Sequence, residues 1–445
     1  MQVDGTIWRR QSGLILVYRY WVNTKYYKPG GPTFVLIGGE GPTSQDWIDG
    51  DLANGQMNWL RNAELFNALC FQLEHRYYGN SYPTQDMTLD NLKWLSSKQA
   101  IADLANFIQH MSKMYNLTNP KWITIGGSYS GSLSAWARAK YPYLISGAVA
   151  TSGPVQAKLN FSEYLETATK AFQQKGSQKC VDTIQEATKY IEENVEKNMD
   201  MIKKQLKFCE AVDASNKNDT ASMFSALAGL FMGAAQYDRD NRGIFADMYT
   251  VPKVCDILTN TTAGDTAFAR YTQLIHYILQ ITGAQCLDVS YKSFVDSVSS
   301  TRNSPGNSGR GWLYQTCTEF GYFQSSDVVK QPFSHKFPLE FSIQQCMEVF
   351  SETFNKTYIE AAIDETNLYY GGKHLVASNI ILPCGGLDPW TDLAISESRN
   401  PLMPSEIVPQ AAHCVTMYPP RAEDSMELRL VRETITSYIA SWIGH

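Results

Sequence analysis

This sequence has no long apolar run, no excess of basic residues and no recognisable metal or phosphate motif. No stretch reaches the ~18–20 apolar residues of a membrane span. Residues 223–235 come nearest but contain Ser and Gly, which predicts a buried helix. His-Glu-x-x-His, Cys-x-x-Cys and phosphate-loop motifs are absent, so no metal and no cofactor is predicted. With 38 basic against 44 acidic residues, nothing suggests nucleic-acid binding.

The sequence does contain alternating strand-like and helix-like segments. Between residues 33 and 158, apolar segments bounded by Gly or Pro alternate with segments of helical periodicity, which predicts an α/β fold with a largely parallel sheet. From about residue 160 to 300, charge-rich helical segments dominate, and residues 301–310 read as a loop. Strand-like segments return at 378–383 and 406–408. One α/β domain split by a helical insertion is the economical interpretation.

The sequence around Ser128 predicts a nucleophile. Apolar residues 122–125 form a strand that ends in Gly126 and Gly127, and a helical pattern follows Ser128. A strand, a tight turn of small residues and a helix are the context in which a serine hydroxyl is held at the top of a sheet. The motif departs from Gly-x-Ser-x-Gly because Ser130 replaces the second glycine. The alternative is a Gly/Ser-rich loop without chemistry, or an anion-binding helix start.

An acid and a base follow in the order that this arrangement requires. Asp388 comes just after the strand-like segment 378–383, and His413 comes just after 406–408. Only His413 and the terminal His445 follow Asp388, and chain ends fray. We therefore predict a triad in which His413 takes the proton of Ser128 and Asp388 orients the imidazole. Each residue alone could be structural.

The oxyanion formed during acyl transfer needs two backbone donors. One is predicted to be the N–H of Tyr129, the residue after the nucleophile. The other is predicted from the glycine-rich segment that follows residues 33–37, where Gly39, Glu40 and Gly41 are all open as donors. A glycine-rich turn without function is the alternative.

Several features point to the secretory route. The chain has nine cysteines, which suits an oxidising compartment, and an odd number leaves at least one unpaired. The first ten residues lack the apolar region of a signal peptide, so we expect that a leader is absent from this sequence. Five glycosylation sequons are present, at Asn116, Asn160, Asn218, Asn260 and Asn355.

Taken together, these motifs resemble the serine peptidase family of lysosomal prolylcarboxypeptidase, dipeptidyl peptidase II and thymus-specific serine protease. The resemblance runs from about residue 18 to the C-terminus. It implies an α/β-hydrolase domain over 18–159 and 341–445, with a mostly helical cap at 160–340 inserted between late strands. It assigns the same triad, Ser128, Asp388 and His413. The matching segments are Ile37-Gly-Gly-Glu-Gly-Pro42, Leu73-Glu-His-Arg-Tyr-Tyr-Gly79, Gly126-Gly-Ser-Tyr-Ser-Gly131, Gln315-Thr-Cys-Thr-Glu-Phe-Gly321, Leu387-Asp-Pro-Trp390 and Ala412-His413.

The resemblance also implies specific roles for other residues. It suggests the disulfides Cys180–Cys255, Cys209–Cys286 and Cys317–Cys346, with Cys70 free and a Cys384–Cys414 bond as an option. Ser132 stands where the prolyl enzymes carry a Met that lines the proline pocket, whereas Trp390 matches another wall of that pocket. Proline preference is therefore open. Ser130 and Ser132 resemble the thymus-specific branch. Two roles are open for Glu319: its carboxylate contacts a substrate amine, or it forms a structural salt bridge.

The predicted function is a secreted or lysosomal serine exopeptidase that acts on short or unfolded peptides through an acyl-enzyme. Whether it is of the dipeptidyl-peptidase or the carboxypeptidase type is open. An esterase or lipase on the same fold is one alternative, and a catalytically silent secreted binding protein is another. A homodimer is an expectation by family analogy alone.

Overall fold

The computed structural model describes residues 2–11, 14–50, 55–239 and 247–445, with side chains from residue 18 onward. In this part of the chain no helix is both long and apolar enough to cross a membrane. An eight-stranded sheet forms the centre, in the order β1-β2-β4-β3-β5-β6-β9-β10. The strands are β1 Gln2–Gln11, β2 Leu14–Asn23, β3 Thr33–Ile37, β4 Leu69–Leu73, β5 Trp122–Gly127, β6 Ile145–Thr151, β7 Lys158–Asn160, β8 Gly321–Phe323, β9 Ile380–Gly385 and β10 Ser405–Val408.

The sheet is parallel where the sequence predicts it. Strands β4, β3, β5, β6, β9 and β10 pair in parallel, while β1 and β2 form an antiparallel hairpin that pairs with β4. The predicted strand at 122–125 lies within β5, and the strand-like segments at 378–383 and 406–408 overlap β9 and β10. The α/β-hydrolase fold class is confirmed, and the order of the central strands brings the ends of β5, β9 and β10 to one edge.

Within the described ranges, sixteen α-helices surround or extend this sheet. They are α1 Asp46–Asp49, α2 Asn58–Phe66, α3 Leu89–Leu92, α4 Ser97–Met114, α5 Tyr129–Lys140, α6 Glu163–Ala171, α7 Gln178–Asn194, α8 Met199–Leu206, α9 Lys217–Gln236, α10 Val251–Thr259, α11 Ala267–Thr282, α12 Tyr291–Ser299, α13 Ser308–Gln315, α14 Leu339–Val349, α15 Lys356–Tyr370 and α16 Met426–Ile443. Helix α9 contains residues 223–235, as the apolar pattern predicted. The predicted loop at 301–310 is shorter than expected, because α13 begins at Ser308.

Side chains alternate between the two faces of the sheet, as the period of two in a strand requires. In β3, Val35 and Ile37 join the larger hydrophobic core, while Phe34 and Leu36 join a second core that α16 covers. Both faces are buried, which explains why the parallel strands read as continuous apolar runs.

The chain between β6 and β9 forms the helical insertion, which comprises α6–α15 and a small parallel sheet of β7 and β8. The larger core continues without a break from the sheet into these helices, where Leu165 and Phe231 are members. The boundaries at residues 160 and 340 stay a prediction, because one continuous core spans both.

Candidate active site

Ser128 lies in the turn between β5 and α5, with backbone angles φ 60° and ψ −134°. A positive φ is costly for a residue with a side chain, and such strain is typical of a serine nucleophile on a strand-to-helix turn. The turn closes tightly, because a Cβ atom at Gly126 would lie 2.0 Å from the carbonyl oxygen of Ser130. Only glycine fits at position 126, which explains why the sequence places it two residues before the serine.

Ser130 stabilises this turn and is not free to react. Its hydroxyl donates to the carbonyl of Gly127 at 2.8 Å. The N–H of Gly127 in turn donates to the Ser130 hydroxyl oxygen at 3.1 Å. A side chain thus fastens the turn at the position where Gly-x-Ser-x-Gly has its second glycine. The departure from that motif leaves the strand-turn-helix geometry intact.

His413 and Asp388 form a hydrogen-bonded pair at the ends of the neighbouring strands. His413 Nδ1 donates to Asp388 Oδ2 at 2.8 Å, and both side chains are buried, with exposures of 3% and 0%. The other carboxylate oxygen accepts the N–H of Trp390 at 2.9 Å. In the part of the chain that the structure describes, His413 Nε2 is buried without a hydrogen-bond partner. The nitrogen that a general base needs is therefore available.

The charge of Asp388 sets the protonation of this pair. Burial of His413 disfavours the imidazolium, but the attraction of Asp388 and of the Cys414 thiol group outweighs that cost, so the pKa of His413 is raised well above its ordinary value. A carboxylate that stabilises an imidazolium is what a base requires once it has taken up a proton.

Ser128 and His413 share one cavity of about 390 Å³. Its wall also contains the segment from Gly38 to Pro42 and Tyr237, which follows α9 of the helical insertion. The volume falls in the range of small-molecule sites, which is roughly 300–1,000 Å³. A few residues of a peptide fill such a space.

Of the predicted oxyanion donors, Gly39 and Glu40 line this cavity, and Tyr129 lies between Ser128 and Ser130, which line it too. Tyr129 is the first residue of α5, so its N–H is not used within the helix. Gly39 and Glu40 line the cavity opposite, and a Cβ atom at Gly39 would be 3.6 Å from Cβ of Ser130. The structure therefore brings together the backbone segments from which the sequence predicts the two donors.

A buried polar network holds the side chain of Tyr129. Burial lowers the pKa of His75 to about 3, so this imidazole is neutral. Its Nδ1–H donates to the carbonyl of Arg76 at 2.7 Å, and Nε2 therefore accepts from the Tyr129 hydroxyl at 3.0 Å. Gln315, at the end of α13, donates to the same hydroxyl at 2.9 Å. A residue of the helical insertion thus helps to fix the position after the nucleophile.

Glu319 belongs to this network. Its carboxylate accepts from the N–H of Ser97 at 2.9 and 3.0 Å, from the Ser97 hydroxyl at 2.6 Å and from Gln315 at 3.0 Å. Burial raises the pKa of Glu319, and the hydrogen bonds from Gln315 and Ser97 oppose that shift. The carboxylate thereby caps the start of α4, where backbone donors are unsatisfied.

A second contact links the insertion to the catalytic base. The carbonyl of Gln236, the last residue of α9, accepts the N–H of His413 at 3.0 Å. The Gln236 side chain accepts from Trp390 Nε1 at 3.1 Å and from Tyr164 at 2.5 Å. The Trp390 ring packs edge to face against Tyr164 and Tyr322 and at a tilt against Phe161. The loop that carries Asp388 is therefore packed directly on the insertion.

Three residues predicted to bind substrate lie outside the described lining of this cavity. Trp390 is in the aromatic cluster, with its ring centre 6.4 Å from that of His413. Glu319 is in the network beneath Tyr129. Ser132 is fully buried in α5 and its hydroxyl contacts no hydrogen-bond partner among the described residues. Their roles toward a substrate stay predictions.

Comparison with known proteins then decides the family. The model of serine carboxypeptidase S28 matches residues 11–435. The chain belongs to the S28 serine peptidase family. Its relatives include the Caenorhabditis elegans protein K12H4.7, a serine protease by name, at 35% identity over 96% of this chain and 84% of that one. Mouse thymus-specific serine protease is 32% identical over 96% and 83%, and bovine lysosomal Pro-X carboxypeptidase is 26% identical over 96% and 84%. Identity is thus higher to the thymus-specific relative, as the sequence predicts.

The S28 chain contains the three disulfides that the resemblance implies, Cys180–Cys255, Cys209–Cys286 and Cys317–Cys346. The optional Cys384–Cys414 bond is wrong, because both residues are buried free thiols, as is Cys70. Cys384 ends a strand of the sheet and Cys414 lies beside the base on a loop, where its N–H donates to Ser152.

The five glycosylation sites of this S28 peptidase remain predictions, and their surroundings differ. Asn116, Asn260 and Asn355 are exposed, and Asn218 is half-buried. The amide nitrogen of Asn160 donates to Asp327 at 2.8 Å, and its oxygen accepts from Ser325 at 2.6 Å. A glycan on Asn160 would have to replace these bonds.

Sequence reasoning missed the contacts that reach the S28 site from far along the chain. Gln236 and Tyr237 carry no motif, and only the end of an apolar helix marks them. Gln315 begins a matching segment, but the sequence does not show that it reaches Tyr129. The side chain of Glu40 was overlooked because only its backbone was considered as a donor.

Proposed function

We propose that this serine peptidase is an exopeptidase that cleaves short or unfolded peptides through an acyl-enzyme on Ser128. The observation that carries the proposal is the shared cavity of about 390 Å³, which Ser128 and His413 line together with Tyr237 of the insertion. A space of this size beside the nucleophile suits the end of a chain better than the middle of a folded one.

The reaction would proceed in two halves. His413 Nε2 accepts the proton of Ser128 as the serine oxygen attacks the scissile carbonyl. The Tyr129 N–H and one N–H of the Gly39–Gly41 segment stabilise the oxyanion. The protonated His413 then gives its proton to the leaving amine. Water, activated by the same imidazole, releases the acyl group from Ser128.

The disulfides bear on the compartment in which the enzyme acts. Three disulfides within one chain support an oxidising compartment, so we propose a secreted or lysosomal enzyme. The relatives named for the lysosome belong to the same family, which supports the second option.

The test is a comparison of wild type with Ser128→Ala on a mixed peptide library, at acidic and neutral pH, with products identified by mass spectrometry. Ser437→Ala, an exposed serine of α16, is the matched control. We expect Ser128-dependent loss of one or two residues from chain ends. A nitrophenyl ester is assayed beside the library, and cleavage of the ester without cleavage of any peptide would favour the esterase alternative. Cleavage at internal peptide bonds would contradict the exopeptidase proposal.

A further inference from the structure

The carboxyl group of Glu40 is a charged group within the catalytic cavity that the reaction does not use. Glu40 lines the same cavity as Ser128 and His413. Among the described residues of that lining there is no Lys, no Arg and no Asp. Within this described lining, the charge that a bound substrate meets is therefore negative, apart from that of the imidazole.

Glu40 has no cationic partner within the part of the chain that the structure describes. No ion pair involves it, and the charged or titratable groups that act on it or feel it are His413, Tyr237 and Tyr78. Burial raises the pKa of Glu40, while its own backbone N–H and His413 lower it. A half-buried carboxylate without a partner is costly in free energy, and a cation that enters the cavity would recover that cost.

The two ends of a peptide differ in what they would meet here. A free N-terminus brings an ammonium, which is attracted to an unpaired carboxylate. A free C-terminus brings a second carboxylate, which would face a like charge with no described Lys or Arg in the lining to neutralise it. The charge of the cavity therefore discriminates between the two directions of exopeptidase action.

We propose that the Glu40 carboxylate binds the free α-ammonium of the substrate, which makes the enzyme an N-terminal exopeptidase. This inference rests on the proposed function, because it assigns a direction to the same site. The ammonium of a lysine side chain has the same chemistry, so the experiment must separate the two sources.

The experiment measures kcat/KM on four forms of one peptide, by mass spectrometry: free at both ends, N-acetylated, C-amidated, and N-acetylated with a lysine near the N-terminus. Wild type, Glu40→Gln and Glu40→Asp are compared, and Glu360→Gln, an exposed glutamate of α15, is the matched control. We expect wild type to favour the free N-terminus over the acetylated one by about tenfold or more, as the loss of one charged hydrogen bond implies. Amidation of the C-terminus should have little effect.

In Glu40→Gln the preference should fall to near one, while Glu40→Asp and Glu360→Gln should retain it. A fluorophosphonate that labels Ser128 checks that each variant still has a competent nucleophile. If Glu40→Gln is not labelled, the wild-type rates on the four peptides decide alone.

Equal rates on free and acetylated peptides, or release of C-terminal residues blocked by amidation, would overturn the inference. The N-acetylated peptide with a lysine tests the other source of an ammonium. If it is cleaved as fast as the free peptide, and if that rate depends on Glu40, the assignment of Glu40 to the α-ammonium is overturned. A lack of Ser128-dependent product from all four peptides, with labelling intact, would instead count against the proposed function itself.

Discussion

The helical insertion and the sheet are stabilised in different ways. All three disulfides lie in the insertion, between residues 180 and 346, whereas the three free thiols, Cys70, Cys384 and Cys414, lie in the sheet or in a loop beside it. The sheet is held by hydrogen-bonded strands with a hydrophobic core on each face. The insertion consists of helices from well-separated parts of the chain, and the disulfides that join these helices reduce the entropy of the unfolded chain. Chemistry thus depends on the sheet, and the shape of the cavity depends also on a cross-linked insertion.

The largest expected effect breaks the chemistry and leaves both regions folded. Asp388→Asn removes the charge that orients His413 and stabilises its imidazolium, so we expect kcat to fall by about 10⁴. Asp392→Asn, an exposed residue of the same loop, is the matched control. Steady-state kinetics and thermal unfolding measured together check this, and a loss below tenfold would show that Asp388 is not the partner of the base.

The next prediction compares how much unfolding free energy is lost when a cysteine is replaced in the insertion and in the sheet. Replacing both Cys180 and Cys255 by serine opens a loop of 75 residues and should cost about 2 to 4 kcal/mol of unfolding free energy. Cys384→Ala, which opens no loop, should cost about 1 kcal/mol. Denaturant unfolding with hydrogen exchange checks this. We expect exchange to rise first in α7, α10 and α11, and equal losses in the two variants would erase the difference between the regions.

A smaller effect tests how the insertion supports the sheet edge. Gln315→Ala removes the hydrogen bonds to Tyr129 and Glu319, and we expect kcat to fall about tenfold with KM little changed, which is less than the loss of a whole oxyanion donor. Tyr129→Phe keeps the backbone donor but lacks the hydroxyl. The double variant should lose no more than either single one, whereas additive losses would show that Gln315 acts by another route.

The last prediction concerns pH. A base must be neutral, and the pKa of His413 is raised well above its ordinary value of 6.5 because the charge of Asp388 outweighs the effect of burial. Activity should therefore rise with pH along a limb whose midpoint lies above 6.5. In Asp388→Asn the midpoint should move to lower pH, because burial then lowers the pKa of His413 with only the contribution of Cys414 left to oppose it. The pH profile of kcat/KM for both proteins checks this, and a wild-type midpoint at or below 6.5 would contradict it.

The sequence predicts best what is local. Ser128, Asp388 and His413 each follow a strand within a few residues, so chain order and hydrophobic pattern place all three at one sheet edge. The contacts of Gln236 and Gln315 could not be predicted, because they join segments that lie far apart along the chain and no sequence pattern relates those segments. The optional Cys384–Cys414 bond is wrong, because two cysteines that remain once three pairs are assigned need not lie in bonding geometry.

The hydrogen bond from the His413 N–H to the Gln236 carbonyl bears on whether the insertion could be exchanged as an independent module. The main chain of His413, the predicted base, is fixed by the last residue of α9, a helix that belongs to the insertion and not to the sheet. A chimera that exchanged the insertion for that of a relative would have to supply an equivalent carbonyl at this point, or the histidine loop would lose one of its anchors. The helical insertion and the loop of the predicted base would therefore have to be exchanged as a matched pair.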